Sequence, residues 1–329
     1  VKRPMHQTTK HLIGIVGAPN ERHCLYLAQE LRTNHAVEPL ILNNAPDIPF
    51  PLSLHGSTVC YEDVPLDELH VLYMRALFLP TPAFDAGEIE ARMKKYGYVA
   101  YAAHRERYAA WLSYLKTASL SGKLVVNPID SLLLHFAKPY QTELLRSKGL
   151  PVPDTLVTSS AQLLLDFCKD KEVVYKPVAG GALCRKLTEE DKQPERLQRL
   201  ASAPVQFQEY VPGHDLRVFV LDGRVIASFL LESDHIDFRE GEAELTKHTL
   251  DPEIAAVCIR ACRELGLLFS GVDLKLRADG SVVLIECNPS PMFEGFDRIL
   301  SGHERIVSQL ADYLTEQART AANGAPSVL

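Results

Sequence analysis

The sequence predicts a mixed α/β (α+β) protein in which a parallel, Rossmann-like sheet is followed by antiparallel sheets with helices. Strand and helix patterns alternate through the first third of the chain, and this alternation is typical of a parallel sheet. Beyond residue 204, apolar runs flank two Asp-Gly pairs, at 222–223 and 279–280. Asp-Gly between alternating apolar runs is a strong signal for a β-hairpin. The 329 residues leave room for about two domains.

The first third contains the elements of a βαβ arrangement. In order, we expect a strand at 11–19, a helix at 21–32, a strand at 38–44, a proline-rich connector, a strand at 67–77, helical segments across 81–119 and a strand at 123–128. Neither GxxxxGK[ST] nor, after the first strand, GxGxxG is present. The first domain is therefore Rossmann-like in shape without either nucleotide fingerprint.

The remaining chain predicts helices and paired strands. In order, we expect a helix at 130–149 that carries Lys138, a strand at 151–157, a helix at 162–169, a strand at 173–176 that leads into a glycine turn, a strand at 204–212, a hairpin at 215–231, a helix at 252–267 and a hairpin at 271–288.

Composition excludes several classes of protein. With 35 Lys+Arg against 42 Asp+Glu the formal net charge is −7, which argues against a protein that binds nucleic acid by bulk charge. No apolar run approaches the ~18–20 residues that cross a bilayer, and the first residues lack the pattern of a secretory signal. We therefore expect a cytoplasmic protein with no membrane contact.

The seven cysteines are scattered and include no CxxC pair, which argues against a disulfide framework and a zinc ribbon. Cys258 and Cys262 lie four residues apart in a predicted helix. Because a free cysteine behaves as a small apolar residue, we expect both thiols to pack in the core.

Oxygen-bearing side chains follow the strands of the second hairpin. Asp273 lies on one strand, and Glu286 and Asn288 lie two residues apart on the other, hence on one face. Carboxylates among apolar residues are costly to bury unless they are paired or bind a metal, and oxygen ligands of this type suit Mg²⁺. The alternative is that these side chains are satisfied by neighbouring backbone.

Two lysines and one strand end complete the pattern. Lys176 ends an apolar strand beside Gly180 and Gly181, where a lysine can meet a phosphate while glycine backbone closes over it. Lys138, taken alone, reads as a solvated helix lysine. The QEYVPG string places Glu209 and Tyr210 at a strand end, where backbone groups could read an adenine edge.

Taken together and in this order, several strings resemble the ATP-grasp superfamily, and most closely the RimK-type glutamate ligases, from about residue 125 to about residue 302. The strings are VVNPIDSLLLHFAKPYQTELLRSKGLPVPDT, VVYKP, QEYVPGHDLRVFVLDGRVIAS, DFR, GVDL and ECNPSPMFEGFD. The resemblance implies an N-terminal pre-ATP-grasp α/β domain at 1–130 and an ATP-grasp domain at 131–320. The latter would comprise a small lid at about 138–205 and a larger antiparallel-sheet subdomain at about 206–320.

The same resemblance implies roles for individual residues. It assigns nucleotide contacts to a set that runs from the phosphates to adenine and ribose: Lys138, Lys176, Glu209, Tyr210, Asp215 and Arg239. Arg239 and Lys176 would be the catalytic residues near the transferred phosphate. Asp273, Glu286 and Asn288 would hold Mg²⁺, with Mn²⁺ as the alternative metal.

The implied activity is an ATP-dependent carboxylate–amine ligase that forms an amide through an acyl phosphate. Its acceptor would be an amino acid, a peptide or a protein. One alternative is a graspetide-type macrocyclase that joins side chains within a precursor peptide. Another is a nucleotide-binding regulatory protein that has lost turnover. Ligases of this kind often form dimers or tetramers, so a homo-oligomer is compatible with the resemblance.

Three departures bear on the flap and the acceptor side. The segment VAGGALCRKL, after the second lysine, is shorter and contains fewer glycines than the family's usual glycine-rich flap. This difference puts closure of the lid over the phosphates in question. Met292 follows Ser-Pro where the family usually has glycine. Gly241 stands two residues beyond the DFR arginine where asparagine is common.

Several further residues have two possible roles, either substrate contact or a structural position. Arg75, at the end of a strand, could bind a substrate carboxylate in bidentate fashion or be a surface arginine. Residues near the DFR string could contact the acceptor or be solvated loop residues: His235, Asp237, Lys247 and His248. Ser290 could contact substrate or cap the turn that follows it.

Overall fold

The computed structural model describes residues 12–45, 48–56, 58–75, 91, 94–95, 97–179, 183–233, 241 and 244–323. The chain divides into two compact units, one formed by Val1–Ile129 with Val307–Leu329 and the other by Asp130–Ile306. The last helix thus belongs to the first unit, whereas the sequence placed it in the second domain. The predicted domain and lid limits stay predictions.

The described strands are β1 Ile13–Val16, β2 Leu40–Leu42, β3 Leu52–His55, β4 Thr58–Tyr61, β5 Val64–Pro65, β6 Val71–Met74, β7 Leu124–Val126, β8 Thr155–Thr158, β9 Val173–Pro177, β10 Arg185–Lys186, β11 Val205–Glu209, β12 His214–Leu221, β13 Arg224–Glu232, β14 Glu244–Lys247, β15 Phe269–Leu276 and β16 Val282–Asn288. The described α-helices are α1 Arg22–His35, α2 Tyr98–Leu120, α3 Ile129–Leu132, α4 Lys138–Ser147, α5 Ala161–Phe167, α6 Pro194–Leu200, α7 Pro252–Glu264, α8 Glu294–Asp297 and α9 Ile306–Ala322.

A four-stranded parallel sheet, ordered β2-β1-β6-β7, forms the centre of the first unit. All four residues of β1 and of β6 are buried, as expected of central strands in a parallel sheet. The predicted parallel arrangement is confirmed. After the proline-rich connector the sequence predicted no strand before residue 67, whereas β3, β4 and β5 form a small antiparallel sheet there.

The second unit contains two antiparallel sheets, and the sequence predicted antiparallel strands from residue 204 onward. The smaller one has the order β10-β9-β11-β8, and the larger one has the order β14-β13-β12-β15-β16. Both predicted hairpins are present. Asp222 and Gly223 have φ values of 47° and 70°, the left-handed conformation that a two-residue hairpin turn requires.

One face of the larger sheet forms the main core of the second unit. Alternate residues of β12 and β15, such as Leu216, Val218 and Val272, pack with buried residues of α7. Cys258 and Cys262 are buried on that helix, which confirms their predicted packing. The opposite face of β12 carries Asp215 and Arg217 together with the buried Phe219.

The predicted continuous helix at 130–149 was wrong. α3 passes into a 3₁₀ turn at Leu133–Phe136, and α4 starts afresh at Lys138. Pro139 lies in the first turn of α4, where its missing N–H costs nothing and its fixed φ favours a helix start. This break places Lys138 at a helix N-terminus. Of the helical pattern at 81–119, residues 81–90 lie outside the described residues.

Within the described ranges, the helices are all too short or too polar to cross a membrane.

Candidate functional site

The second hairpin brings the predicted metal ligands to one face of the larger sheet. Asp273 on β15 lies directly opposite Glu286 on β16, and Asn288 lies opposite Gly271. Directly opposed residues of antiparallel strands share a face and have neighbouring Cβ atoms. Two carboxylates and one amide therefore lie together at the end of the hairpin that is distant from its turn.

Lys138 reaches this face from α4. Its Nζ lies 2.7 Å from Oε2 of Glu286, and the two side chains are only 13% and 16% exposed. Taken alone in the sequence, Lys138 is predicted to be a solvated lysine on a helix. In the fold it is a largely buried cation in direct contact with a predicted metal ligand.

Lys176 comes from the smaller sheet, where it lies on β9 opposite Gln206 of β11. Burial lowers the pKa of Lys176, the nearby Lys138 lowers it further, and Glu286 and Asp273 act in the opposite direction. The electrostatic neighbours of Lys176 are thus the residues of the same cluster. Two lysines from different elements lie beside one pair of carboxylates.

The two carboxylates differ in their electrostatic environment. Burial raises the pKa of Asp273 to about 6, with further raising by Glu286 and Asp215, although Arg217 lowers it. Burial also raises the pKa of Glu286, but Lys138 and Lys176 outweigh burial and hold it below its ordinary value. The cluster thus carries a carboxylate whose negative charge is costly, which an added cation would stabilise.

Arg217 is a site residue that the sequence reasoning missed. Its Nη1 donates to Oδ2 of Asp273 at 3.0 Å and to the carbonyl of Gly271 at 3.2 Å. The guanidinium lies against the rings of Phe219 and Phe296, at 5.8 and 5.7 Å from their centroids. The available signal was its place in the DLR string, two residues after Asp215 and hence on the same face.

Gly271 is required beside this arginine because of close packing. A Cβ at this position would lie 2.9 Å from Nη1 of Arg217 and 2.8 Å from Cβ of Pro291. The matched GVDL string therefore includes a glycine that lets the guanidinium approach the strand.

Asp215, predicted to contact ribose, lies one step further along the same face. It is opposite Lys275, and its Oδ1 lies 2.7 Å from the lysine Nζ.

Asn288 accepts a hydrogen bond on Oδ1 from the backbone N–H of Ser290 at 3.0 Å. The backbone of Ser290 thus orients a predicted metal ligand.

The strand end predicted to read adenine has its N–H groups engaged. Glu209 N–H donates to the carbonyl of Asp154 at 3.0 Å, and Tyr210 N–H donates to the carbonyl of Glu172 at 2.8 Å. Nζ of Lys186 lies 5.0 Å from the centroid of the Tyr210 ring. An adenine edge would therefore have to be read by other groups of this segment.

Several predicted positions fall outside the described residues. These are Arg239, its neighbours His235 and Asp237, and the flap glycines Gly180 and Gly181.

Met292 is described and is 62% exposed. Lys247 is ion-paired with Glu304 at 2.7 Å, and the backbone of His248 is bonded to Ser228. These contacts give Lys247 and His248 structural partners within the second unit.

Arg75 has a partner within the first unit. Its Nε donates to Oε1 of Glu21 at 3.0 Å, and Oε2 of the same carboxylate caps α1 by accepting from the N–H of Cys24. Nδ1 of His23 lies 3.3 Å from Oε1. Burial raises the pKa of Glu21, but His23, Arg75 and the Cys24 N–H together lower it to about 2. This arginine therefore neutralises a helix cap.

The donor set at the second hairpin fits Mg²⁺. Within the described ranges, no three His, Cys, Asp or Glu side chains lie close enough to hold a metal ion alone. Asp273, Glu286 and Asn288 instead supply two carboxylates and an amide, and Mg²⁺ is usually held by one or two carboxylates together with substrate phosphates. The adjacent lysines are placed to meet those phosphates.

Comparison with known proteins points the same way. A family model described as the RimK-like ATP-grasp domain matches residues 138–314. A curated relative from Maridesulfovibrio salexigens, named probable alpha-L-glutamate ligase, is 28% identical over 190 residues, which cover 54% of this chain and 62% of the relative. A second, from Hydrogenovibrio crunogenus, is 34% identical over 125 residues, 36% of this chain and 40% of the relative. The chain thus spans less than two thirds of either protein.

Solved structures match nearly the whole chain. The ATP-grasp ligase PsnB, in complex with a phosphomimetic variant of its minimal precursor, Mg and ADP, is 31% identical with a TM-score of 0.84, covering 94% of this chain and 99% of PsnB. The macrocyclase MdnC from Microcystis aeruginosa, bound to its precursor peptide MdnA, is 18% identical with a TM-score of 0.72, covering 92% and 99%. The second likeness concerns the fold alone.

Proposed function

The chain belongs to the RimK-like ATP-grasp family, and on this premise we propose that it is an ATP-dependent carboxylate–amine ligase that acts on a carboxylate carried by a peptide. The observation that carries the ligase activity is that Lys138 contacts Glu286, which lies opposite Asp273, while Lys176 interacts electrostatically with both carboxylates. The observation that favours a peptide is the match to PsnB, which was solved with its precursor and extends across both units.

The reaction we propose has two steps. A carboxylate oxygen of the peptide attacks the γ-phosphorus of ATP, ADP leaves, and an acyl phosphate forms. An amine nitrogen then attacks the acyl carbon, the C–O bond to phosphate breaks, and the nitrogen loses a proton to give an amide and inorganic phosphate. Catalysis of such a transfer consists mainly of positioning and of neutralising charge.

The lysines carry the larger part of the proposed charge neutralisation. Lys138 is held at the start of α4 by its contact with Glu286, so its ammonium group is placed before a phosphate arrives. Lys176 is half-buried on the smaller sheet, where partial desolvation strengthens its attraction to a phosphate. Arg239, in the family-matched DFR string, is proposed to stabilise the transferred phosphoryl group.

Asp273, Glu286 and Asn288 are proposed to hold Mg²⁺, which when bound would neutralise charge on the β- and γ-phosphate oxygens. Arg217 and Ser290 would hold Asp273 and Asn288 in place. Glu209 and Tyr210 are proposed to line the adenine and Asp215 to face the ribose. Manganese as an alternative metal, a homo-oligomer and a cytoplasmic location stay predictions.

A second candidate is a glutamate ligase that adds a free amino acid. It is supported by the curated relatives, which are named probable alpha-L-glutamate ligase. Relatives so named match at most 63% of this chain among those compared, whereas PsnB matches 94% of it. The peptide-joining candidate therefore has the broader support.

An assay of ADP release combined with the masses of the peptide products separates these candidates. The protein is incubated with ATP, Mg²⁺ and either free amino acids or peptides that contain both acidic and lysine side chains. The masses of the peptides are then measured by mass spectrometry. Loss of water from a peptide without added amino acid supports the proposal. Gain of an amino acid residue supports the glutamate ligase. Nucleotide binding without ADP formation under any condition contradicts both and favours a regulatory protein.

A further inference from the structure

Strand β16 is the outermost strand of the larger sheet, so its outer backbone groups have no strand partner in the described part of the sheet. Exposed edges of this kind are normally covered by other elements. Two residues bond to this edge. The N–H of Leu284 donates to the carbonyl of Pro151 at 2.7 Å, and Cys287 is bonded by Gln141 of α4.

The Gln141 side chain makes two hydrogen bonds to one residue of the strand. Its Nε2 donates to the Cys287 carbonyl at 2.9 Å, and its Oε1 accepts from the Cys287 N–H at 2.7 Å. Gln141 is 3% exposed and Cys287 is fully buried. A primary amide that donates to and accepts from the same backbone residue takes the place of a neighbouring strand's peptide group.

The bonded residue has a particular place in the site. Cys287 lies between Glu286 and Asn288, whose side chains point to the opposite face of the strand. Gln141 is three residues after Lys138, so both lie on one face of α4. One helix therefore contacts this strand twice, through the Lys138 ion pair with Glu286 and through the amide of Gln141.

We propose that Gln141 is a positioning residue for the metal site, and this inference rests on the proposed function. Its amide fixes the backbone that carries Glu286 and Asn288 and holds it at a set distance from Lys138. The metal ligands and the phosphate lysine thereby keep their spacing when nucleotide and Mg²⁺ bind together. Outer partners of metal ligands typically change metal affinity by about 10–100-fold when they are replaced.

The test uses Gln141→Met, which retains the length and volume of the side chain but makes neither hydrogen bond. Thr142→Val is the matched control, because Thr142 is buried on the same helix and its hydroxyl donates within α4, to the carbonyl of Lys138. Calorimetry measures the dissociation constant of ADP with and without Mg²⁺ in the full chain. Their ratio reports the gain in affinity that the metal provides.

We expect Gln141→Met to reduce this ratio by about 10-fold or more while the metal-free dissociation constant changes by less than about 3-fold. Thr142→Val should leave the ratio within about 2-fold of wild type. A folded Gln141→Met protein with the wild-type ratio would show that Gln141 only covers the edge, and would overturn the inference. If Gln141→Met fails to fold, Gln141→Asn, whose amide is one methylene too short to reach Cys287, must lower the ratio in the same way.

Failure of the proposed function gives a different result. Wild-type protein whose ADP affinity is insensitive to Mg²⁺ would overturn both the metal site and the role of Gln141. A Mg²⁺-dependent wild type with an unaffected Gln141→Met variant overturns the positioning role alone.

Discussion

Each unit contains a carboxylate that lies 3.0 Å from a largely buried arginine, yet the two carboxylates have opposite electrostatic properties. In the first unit, Glu21 also caps α1, and its pKa falls to about 2. In the second unit, Asp273 is half-buried opposite Glu286, and desolvation raises its pKa to about 6 in spite of Arg217. The ion-pair distance alone therefore does not distinguish the two sites.

The difference lies in what surrounds each pair. Glu21 has three groups that favour its charged form, so its charge is fully compensated and the pair contributes to the stability of the first unit. Asp273 has one such arginine and a second carboxylate opposite it. A structural ion pair satisfies its own charge, whereas a binding site retains charge that a ligand can neutralise.

The largest expected effect is on turnover in the second unit. Glu286→Gln removes one proposed metal ligand and the partner of Lys138, so we expect ADP release to fall by about 100-fold or more. The control is Glu189→Gln, since Glu189 is also paired with a lysine, Lys192 at 2.6 Å, but is 87% exposed. Wild-type ADP release by a folded Glu286→Gln protein would place the site elsewhere.

The next effect is on stability and compares the two arginines. Arg217→Met leaves Asp273 opposite the second carboxylate, Glu286, without its arginine, and removing one partner of a largely buried pair costs about 3 kcal/mol. Arg75→Met leaves Glu21, whose side chain is about as exposed as that of Asp273, with its helix-cap bond and its contact with His23, so we expect a loss of about 1 kcal/mol. Urea unfolding followed by circular dichroism measures both. Equal losses would contradict the distinction between the pairs.

A smaller, pH-dependent effect is expected at Glu21. Because its folded pKa is about 2, below the ordinary 4.5, its contribution is fully present above about pH 4.5 and is lost as the pH falls towards 2. Glu21→Gln should therefore lower the free energy of unfolding by about 1–2 kcal/mol at pH 7 and by progressively less in acid. Unfolding curves between pH 7 and pH 3 test this, and a pH-independent difference would refute it.

The smallest effect is expected at an exposed pair. Arg32 and Glu38 lie 2.7 Å apart, but their side chains are 45% and 43% exposed. Solvent-screened pairs contribute little, so Glu38→Gln should change the free energy of unfolding by about 0.5 kcal/mol or less. A loss as large as that of Glu21→Gln would mean that burial does not separate these pairs.

The parts of the fold that the sequence predicts well are governed by local chemistry. The Asp-Gly turn at 279–280 joins β15 to β16 and so brings Asp273 opposite Glu286, although the register shifts by an irregularity between Asp273 and Leu274. The break at Pro139 shows the limit of periodicity, since the apolar pattern continues through it while the helix does not. The small sheet formed by β3, β4 and β5 was likewise not predicted, because it follows a proline-rich segment that indicates a connector.

The parts that the sequence does not reveal depend on contacts between distant segments. Gln141 and Cys287 are 146 residues apart, and Arg217 and Asp273 are 56 apart. Nothing local to a glutamine in an amphipathic helix indicates that its amide will bond to a strand edge. Such residues become visible only once the sheet order is known, because that order determines which strand lies at the edge.

The most direct test of the central claim is calorimetric binding of ADP in the presence of Mg²⁺ to wild type, Glu286→Gln and Glu21→Gln. The claim is that the second-unit cluster binds the nucleotide and its metal, whereas the first-unit pair is structural. We predict that Glu286→Gln weakens binding by about 10-fold or more and that Glu21→Gln leaves it within about 2-fold of wild type. Unchanged binding in Glu286→Gln, or equal weakening in both variants, would contradict it.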